Sequence, residues 1–282
     1  MNIIDLVQKN GPDEEEFKSF DNLINSIDNK SEGEAFRKSL GDVLKKEHTL
    51  FGHTFEKPFG YAGDFHLIEK IYEKYSTDDP KYKKWDMFYH SHEATDAVRN
   101  RKSYFIQKMS ELVTSKSDLN VLILGSGPAT DVNEFLKKNP SANVSFLLLD
   151  IDQNAIDYAS EKNAEFADKI SFVKANVKKY RTEQKFDLIW SAGLFDYLND
   201  DFFTYLLNVY KDNIKEDGKI IIGNFSPSNP TIKVMEVMTE WYLNYRDENH
   251  LIQLAEKAGI EKSRCIVEKE PLGINLFLKI NT

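Results

Sequence analysis

The chain is poor in cysteine, in clustered basic residues and in long apolar runs, and each shortage removes a class of function. Cys265 is the only cysteine in 282 residues, which excludes an internal disulfide and any cysteine-built metal cage. Acids outnumber bases, 46 to 37, for a net charge of −9. No basic run is dense enough to offset that balance. Nucleic acid is therefore not the default partner, because such binding rests on Lys and Arg neutralising phosphates. No stretch approaches the ~18 apolar residues of a membrane span. The opening "MNIIDLVQKNGPDEEE" sets a short apolar patch before acids, the wrong pattern for a signal peptide. A soluble chain in a reducing, cytoplasmic compartment, acting on a small molecule, is the expectation.

What the chain does have is a change of rhythm near residue 116. Before it the pattern is helical and polar, with helices predicted at about 13–29, 32–47, 64–75, 79–93 and 94–114. One irregular stretch, "FGHTFEKPFGYAGD" (51–64), interrupts them. After "TSKSDLN" (114–120), short aliphatic runs at 121–124, 144–149, 170–175, 186–191 and 219–223 alternate with amphipathic segments. That alternation predicts βαβ units and a parallel sheet. Two last strands, "SRCIVEKE" and "INLFLKI", have only "PLG" between them. Three residues cannot carry a parallel crossover, so this pair is expected to be antiparallel. The expected organisation is a helical region over 1–115, covering or shaping a substrate site, and a ligand-binding α/β domain over 116–282.

In such a sheet the ligand crevice lies at the strand C-termini. Four positions there are informative. "VLILGSGPATD" (121–131) drives a buried strand into Gly125-Ser126-Gly127 and a helix start, where missing side chains let a ligand approach the backbone. Asp150 ends "FLLLD", 23 residues after Gly127, with Ile151 next to it. That is near the spacing at which an acid meets ribose hydroxyls. Asn176, followed by Val177, ends the third strand, and "IWSAGLFDY" (189–197) follows the fourth. Each has a plainer reading: the glycines serve a tight turn, Asp150 caps a helix as Asp152 could, and Asn176 is a loop residue. A dinucleotide G-x-G-x-x-G would need a third glycine where Thr130 stands, which argues against hydride transfer.

These residues resemble the class I S-adenosylmethionine-dependent methyltransferases, over roughly 118–282. "ILGSGPA" keeps two glycines of that family's first-strand motif, with Ala129 in place of a third and Ile123 in place of a preceding acid. The resemblance implies a Rossmann-like seven-stranded fold with the last strand antiparallel. It implies S-adenosyl-L-methionine as cofactor, Asp150 on the ribose, Asn176 and Val177 at the adenine, and Ser191 and Ala192 near the ligand. "PFGYAGD" (58–64), "AVRNR" and "NFSPSNP…EWYLNYRDE" further resemble bacterial 3-hydroxy-fatty-acid (3-hydroxypalmitic acid) methyl ester synthase-like proteins. That implies O-methylation of a small or fatty carboxylic acid.

A carboxylate acceptor is already ionised and needs no general base, and no histidine offers one. The six histidines read as lying in polar helical or loop contexts, and "HSHE" (90–93) as solvated helix surface rather than a metal pair, so no metal is expected. Arg101 sits at the edge of a helical apolar stripe formed by Ala94, Val98, Phe105, Met109 and Leu112, with Arg99 on another face. A half-buried arginine needs an anion, either a ligand carboxylate or an internal acid. Tyr61 and Asp64 are displayed on the glycine-rich turn of "PFGYAGD", as reacting groups or as core and helix cap. A helix through 224–248 would put Val234, Met235, Met238, Trp241, Tyr242 and Tyr245 on one stripe, as core or as a substrate lid in which Met238, Trp241 and Tyr242 meet an apolar acceptor. An N- or phenol-directed reaction would recruit Tyr61, Asp64, Asp196 or Tyr197 as base. Displacement releasing methylthioadenosine, or cofactor binding without catalysis, are further alternatives.

Overall fold

The computed structural model describes residues 2–281, which form two units. One takes the chain up to Arg99 together with Asn229–Tyr242; the other takes Asn100–Ser228 and the chain from Leu243 onward.

The first unit is helical: α1 (Ile3–Gln8), α2 (Phe17–Asn25), α3 (Lys30–Leu40), α4 (Leu50–Glu56), α5 (Phe65–Glu73), α6 (Lys83–His90) and the start of α7 (Glu93–Ser115). Its helix starts follow from capping: Asn2, Asn29, Thr49 and Asp64 each accept a backbone N–H of the first turn, satisfying donors the helix leaves open. The centre is aromatic. Phe20 lies against Phe36, Trp85 and Phe88, with ring centroids 6.1, 5.8 and 4.9 Å away. Two expectations change here. The helix expected over 32–47 stops at Leu40, because Gly41 turns to φ 54°. The stretch 51–64, expected to be irregular, opens with α4. Gly52 is not a breaker there; a Cβ would lie 2.0 Å from the Lys45 carbonyl oxygen, so it serves close backbone approach.

The second unit is built on seven strands: β1 (Leu119–Leu124), β2 (Val144–Asp150), β3 (Ile170–Lys174), β4 (Phe186–Ala192), β5 (Ile214–Phe225), β6 (Cys265–Lys269) and β7 (Asn275–Asn281). They alternate with α8 (Thr130–Lys138), α9 (Gln153–Lys162) and α10 (Asp200–Tyr210), and α12 (Glu248–Lys257) precedes β6. The sheet order is β3-β2-β1-β4-β5-β7-β6. The first five strands are parallel, and β7 runs antiparallel to both β5 and β6, as the "PLG" connection requires. Alternate strand residues feed two cores. Leu122, Leu124, Ile189, Ile222 and Leu278 pack with Phe203, Leu207 and Leu254. Val121, Ile123, Leu188, Trp190 and Phe277 pack with Phe105, Val132 and Phe135. Covering both faces is what turns the strands into unbroken aliphatic runs. The order reverses at β1, between β2 and β4, so a ligand crevice is expected beyond the C-terminal ends of β1 and β4.

The unit boundary falls after Arg99, inside α7, whose remaining turns to Ser115 belong to the sheet unit. The segment between β5 and α12 also differs from expectation. Its helix, α11 (Ile232–Thr239), ends where Glu240 adopts φ 50°, so Trp241, Tyr242 and Tyr245 do not continue its stripe. Within the helical unit α11 is fastened by hydrogen bonds from Arg37 to the Val237 carbonyl (2.7 Å) and from Lys233 to the Ile27 carbonyl (2.9 Å), and by an Arg37–Glu240 ion pair (2.7 Å). Among the described residues no helix is long and apolar enough to cross a membrane.

Candidate functional site

The head of β1 turns sharply. Gly125 and Gly127 sit at φ 69° and 53°, the left-handed region that side chains disfavour. The Gly125 and Ser126 amides donate to the Leu149 carbonyl (2.8 and 3.1 Å), which pins the turn to the end of β2. Asp150 braces it from the same strand: one carboxylate oxygen accepts from the Gly127 amide (2.9 Å) and the other from the Asp152 amide (3.0 Å). Burial raises the Asp150 carboxyl above its ordinary pKa, while these amides pull it back. A Cβ on Gly127 would meet nothing within 4 Å, so the turn opens onto free space. The Ser126 hydroxyl is buried without a hydrogen-bond partner among the described residues. Ile151, next to Asp150 in the chain, is 63% exposed.

The other expected cofactor residues lie at neighbouring strand ends. Asn176 follows β3, and its side-chain oxygen accepts from the Lys178 amide (2.9 Å). Val177 is buried beside it, its carbonyl taken by the Tyr210 hydroxyl (2.9 Å). Ser191 is fully buried and donates to the Leu124 carbonyl (2.8 Å), so its hydroxyl ties β4 to β1. Ala192 ends β4 half-buried. Asp152 caps α9 by accepting from the Asn154 amide, which leaves Asp150 to the turn.

The α7 stripe is buried at Ala94, Val98, Phe105, Met109 and Leu112, and Arg101 is 7% exposed. Two residues that the sequence reading did not single out bear on it, Gly193 by close approach and Asp131 by charge. Gly193, at φ 96°, lies under the guanidinium. Asp131, in the first turn of α8, is pushed up to about 6 by burial, a shift that Arg101 opposes. Asp196 is likewise raised by burial to about 6 and drawn back by Arg101 and Arg246. Asp196 also has structural work: its carboxylate accepts from the Phe225 amide (2.6 Å), and its carbonyl accepts from the Asn244 amide (2.7 Å). Arg246, also missed, is buried and donates to the Asn224 side chain (2.7 Å) and to Asp200 (3.0 Å). Tyr197 is partly exposed on the same loop. The signal for Gly193 and Asp131 was present, since both stand inside stretches already quoted, "IWSAGLFDY" and "VLILGSGPATD".

The remaining candidates lie in the helical unit. Asp64 is fully buried, caps α5 through the Leu67 amide (2.8 Å) and takes His53 Nε2 on both oxygens at 3.0 and 2.9 Å. Tyr61 stands half-buried on the turn before it. Met238 is 0% exposed and Trp241 is buried, while Tyr242 is 62% exposed. Met238 is therefore packed inside that unit. The histidines also need correction. His53 is buried against Asp64, and His92 is buried and bonded to Asp21 (3.0 Å) rather than solvated. Among the described residues no three His, Cys, Asp or Glu side chains are placed to hold a metal.

The model of a family described as Methyltransferase domain matches residues 115–267, just over half of the chain. A curated relative, malonyl-[acyl-carrier protein] O-methyltransferase 1 of Ilyobacter polytropus, is 30% identical over 39% of this chain. The chain spans 40% of that relative's length. Among solved structures, a "possible exported protein" of Bordetella parapertussis superposes over 99% of this chain and 95% of its own, with TM-score 0.72 and 16% identity. Magnesium protoporphyrin IX methyltransferase of Synechocystis PCC 6803, solved with bound SAH, covers 82% of this chain and 97% of its own, with TM-score 0.55 and 11% identity. At such identities the two structures share the fold.

Proposed function

This chain belongs to the methyltransferase-domain family, and from that premise we propose that it methylates a carboxylate oxygen of a small or fatty acid, with S-adenosylmethionine as donor. The observation that carries the cofactor is the β1 turn. Positive-φ glycines, open space at Gly127, an orphaned buried Ser126 hydroxyl and an exposed Ile151 form a cradle with unmet polar and apolar capacity, which fits a nucleoside with a polar tail. A solved relative in fold carries SAH, and another structure of it carries SAM.

When bound, S-adenosylmethionine would supply a sulfonium-borne methyl group. The chain's own part is to bind and align. Asp150, already fixed by backbone amides, keeps lone pairs for ribose hydroxyls. Asn176 offers its amide to the adenine edge, and Ile151 and Val177 offer apolar surface. Arg101 is the residue for the carboxylate of the methionine end, through its planar fork. Such alignment, with water excluded, is the main contribution an enzyme makes to a displacement of this kind.

The carboxylate acceptor is supported by the curated relative, whose name specifies O-methylation of a malonyl group, a group that ends in a carboxylate. It is also supported by the resemblance of "PFGYAGD" and "AVRNR". The test is transfer of labelled methyl from S-adenosylmethionine to a panel of carboxylic acids, fatty acids included. A methyl ester releases the label as methanol in mild alkali. Alkali-stable label on every accepted substrate would overturn the carboxylate reading. One observation favours a proton-bearing acceptor instead: Asp196, raised to about 6, has the pKa of a base poised near neutrality. That reading requires kcat to rise with pH through about 6 and the rise to vanish in Asp196→Asn.

A further inference from the structure

We propose that Gly193 is the positioning residue that seats Arg101 for the carboxylate of S-adenosylmethionine, an inference that rests on the cofactor reading above. A Cβ built on Gly193 would lie 2.9 Å from Nη1, 3.3 Å from Nη2 and 3.4 Å from Cζ of Arg101. Close approach to three atoms of one planar group means that the guanidinium lies across the Gly193 Cα, in the volume a side chain would take. The adjoining residue is fitted as tightly on the cofactor side: a Cβ on Gly125 would meet Leu194 Cβ at 3.1 Å. The short Gly193-Leu194 loop is thus held between the β1 turn and the arginine of α7. It sets how far Arg101 stands from the strand ends.

The guanidinium has little room to answer a change beneath it. Arg101 is buried, and the acids that feel its charge, Asp131 and Asp196, stand at the start of α8 and in the loop after β4. A methyl group at 193 would lift the fork off its seat. Fork-to-carboxylate recognition is directional, and displacements of about 1 Å are enough to lose it. Gly193 also has φ 96°, so the backbone alone gives a reason for glycine. The test must separate seating from backbone strain.

The measurement is calorimetric binding of two ligands to the full chain: S-adenosylhomocysteine, which carries the amino-acid carboxylate, and methylthioadenosine, which lacks the amino-acid end. Gly193→Ala should weaken S-adenosylhomocysteine roughly 10- to 100-fold, the range for one charge-assisted hydrogen-bonded contact, and leave methylthioadenosine within about twofold. Arg101→Ala should give the same split, and adding Gly193→Ala to it should change neither affinity further. Equal losses for both ligands, or a further selective loss in the double variant, would overturn the proposal. If Gly193→Ala does not fold, the double variant should, because its methyl meets no guanidinium. Failure of the double variant would mean that the backbone alone demands glycine, and the proposal falls. A folded wild-type chain that binds neither ligand would instead refute the cofactor reading, and this inference with it.

Discussion

The two units spend their buried polar groups differently. In the helical unit, side chains that look reactive in the sequence are consumed by one another. Asp64 is shared between His53 and a helix cap, His92 is bonded to Asp21, and Arg37 is paired with Glu240. In the sheet unit, the polar groups at the β1–β2 ends fix the backbone and leave an opening, with the Ser126 hydroxyl unmatched and Gly127 facing free space. A tuned carboxylate or histidine is therefore a poorer guide to a site than a rigid turn with unmet capacity. Buried polar groups are normally satisfied, but Ser76, Asn163 and Asn275 also bury unmatched atoms, so it is the Ser126 hydroxyl together with the open glycine turn that points to a ligand.

Substitutions that look alike on paper should divide along this line. Met238→Ala should produce the largest effect, a loss of roughly 2–5 kcal/mol of stability from a cavity in the helical core; a denaturant midpoint within error of wild type would show that Met238 does not pack as described. Next comes Asp196, whose carboxyl is raised from 3.8 to about 6. A raised folded pKa contributes stability that is fully present below about pH 4 and lost as pH rises through about 6, by at most roughly 3 kcal/mol. The stability of wild type relative to Asp196→Asn should fall across that window, and a flat difference would contradict the burial assignment. Asp150→Ala should weaken S-adenosylmethionine binding by about 1–3 kcal/mol, as one or two hydrogen bonds and the brace on Gly127 are lost. Unchanged affinity would remove the ribose role. The smallest effect is expected from Tyr242→Ala, within about 0.5 kcal/mol in stability, because the ring is exposed. If its KM for an accepted acid also stays unchanged, Tyr242 is no part of the acceptor site.

The same contrast explains what was legible. The strand ends could be read because aliphatic runs, glycines and the spacing from Gly127 to Asp150 are local signals, and the "PLG" connection fixed the direction of β7. The helical unit hid its contacts because they pair residues far apart in sequence, His92 with Asp21 and Arg37 with Val237, and no periodicity encodes that. The stop of α11 was invisible for another reason. Trp241, Tyr242 and Tyr245 keep helical spacing in the letters, while the break sits at Glu240, a residue that carries no stop signal. Gly52 misled in the opposite sense, as a glycine required by packing inside a helix. The unit boundary within α7 has no composition shift to mark it.

The most direct test of the account is calorimetric titration of the intact chain with S-adenosylmethionine. Binding in the micromolar range, weakened in Asp150→Ala, is the result predicted from the Gly125–Gly127 cradle. No heat of binding from a chain shown to be folded would contradict it.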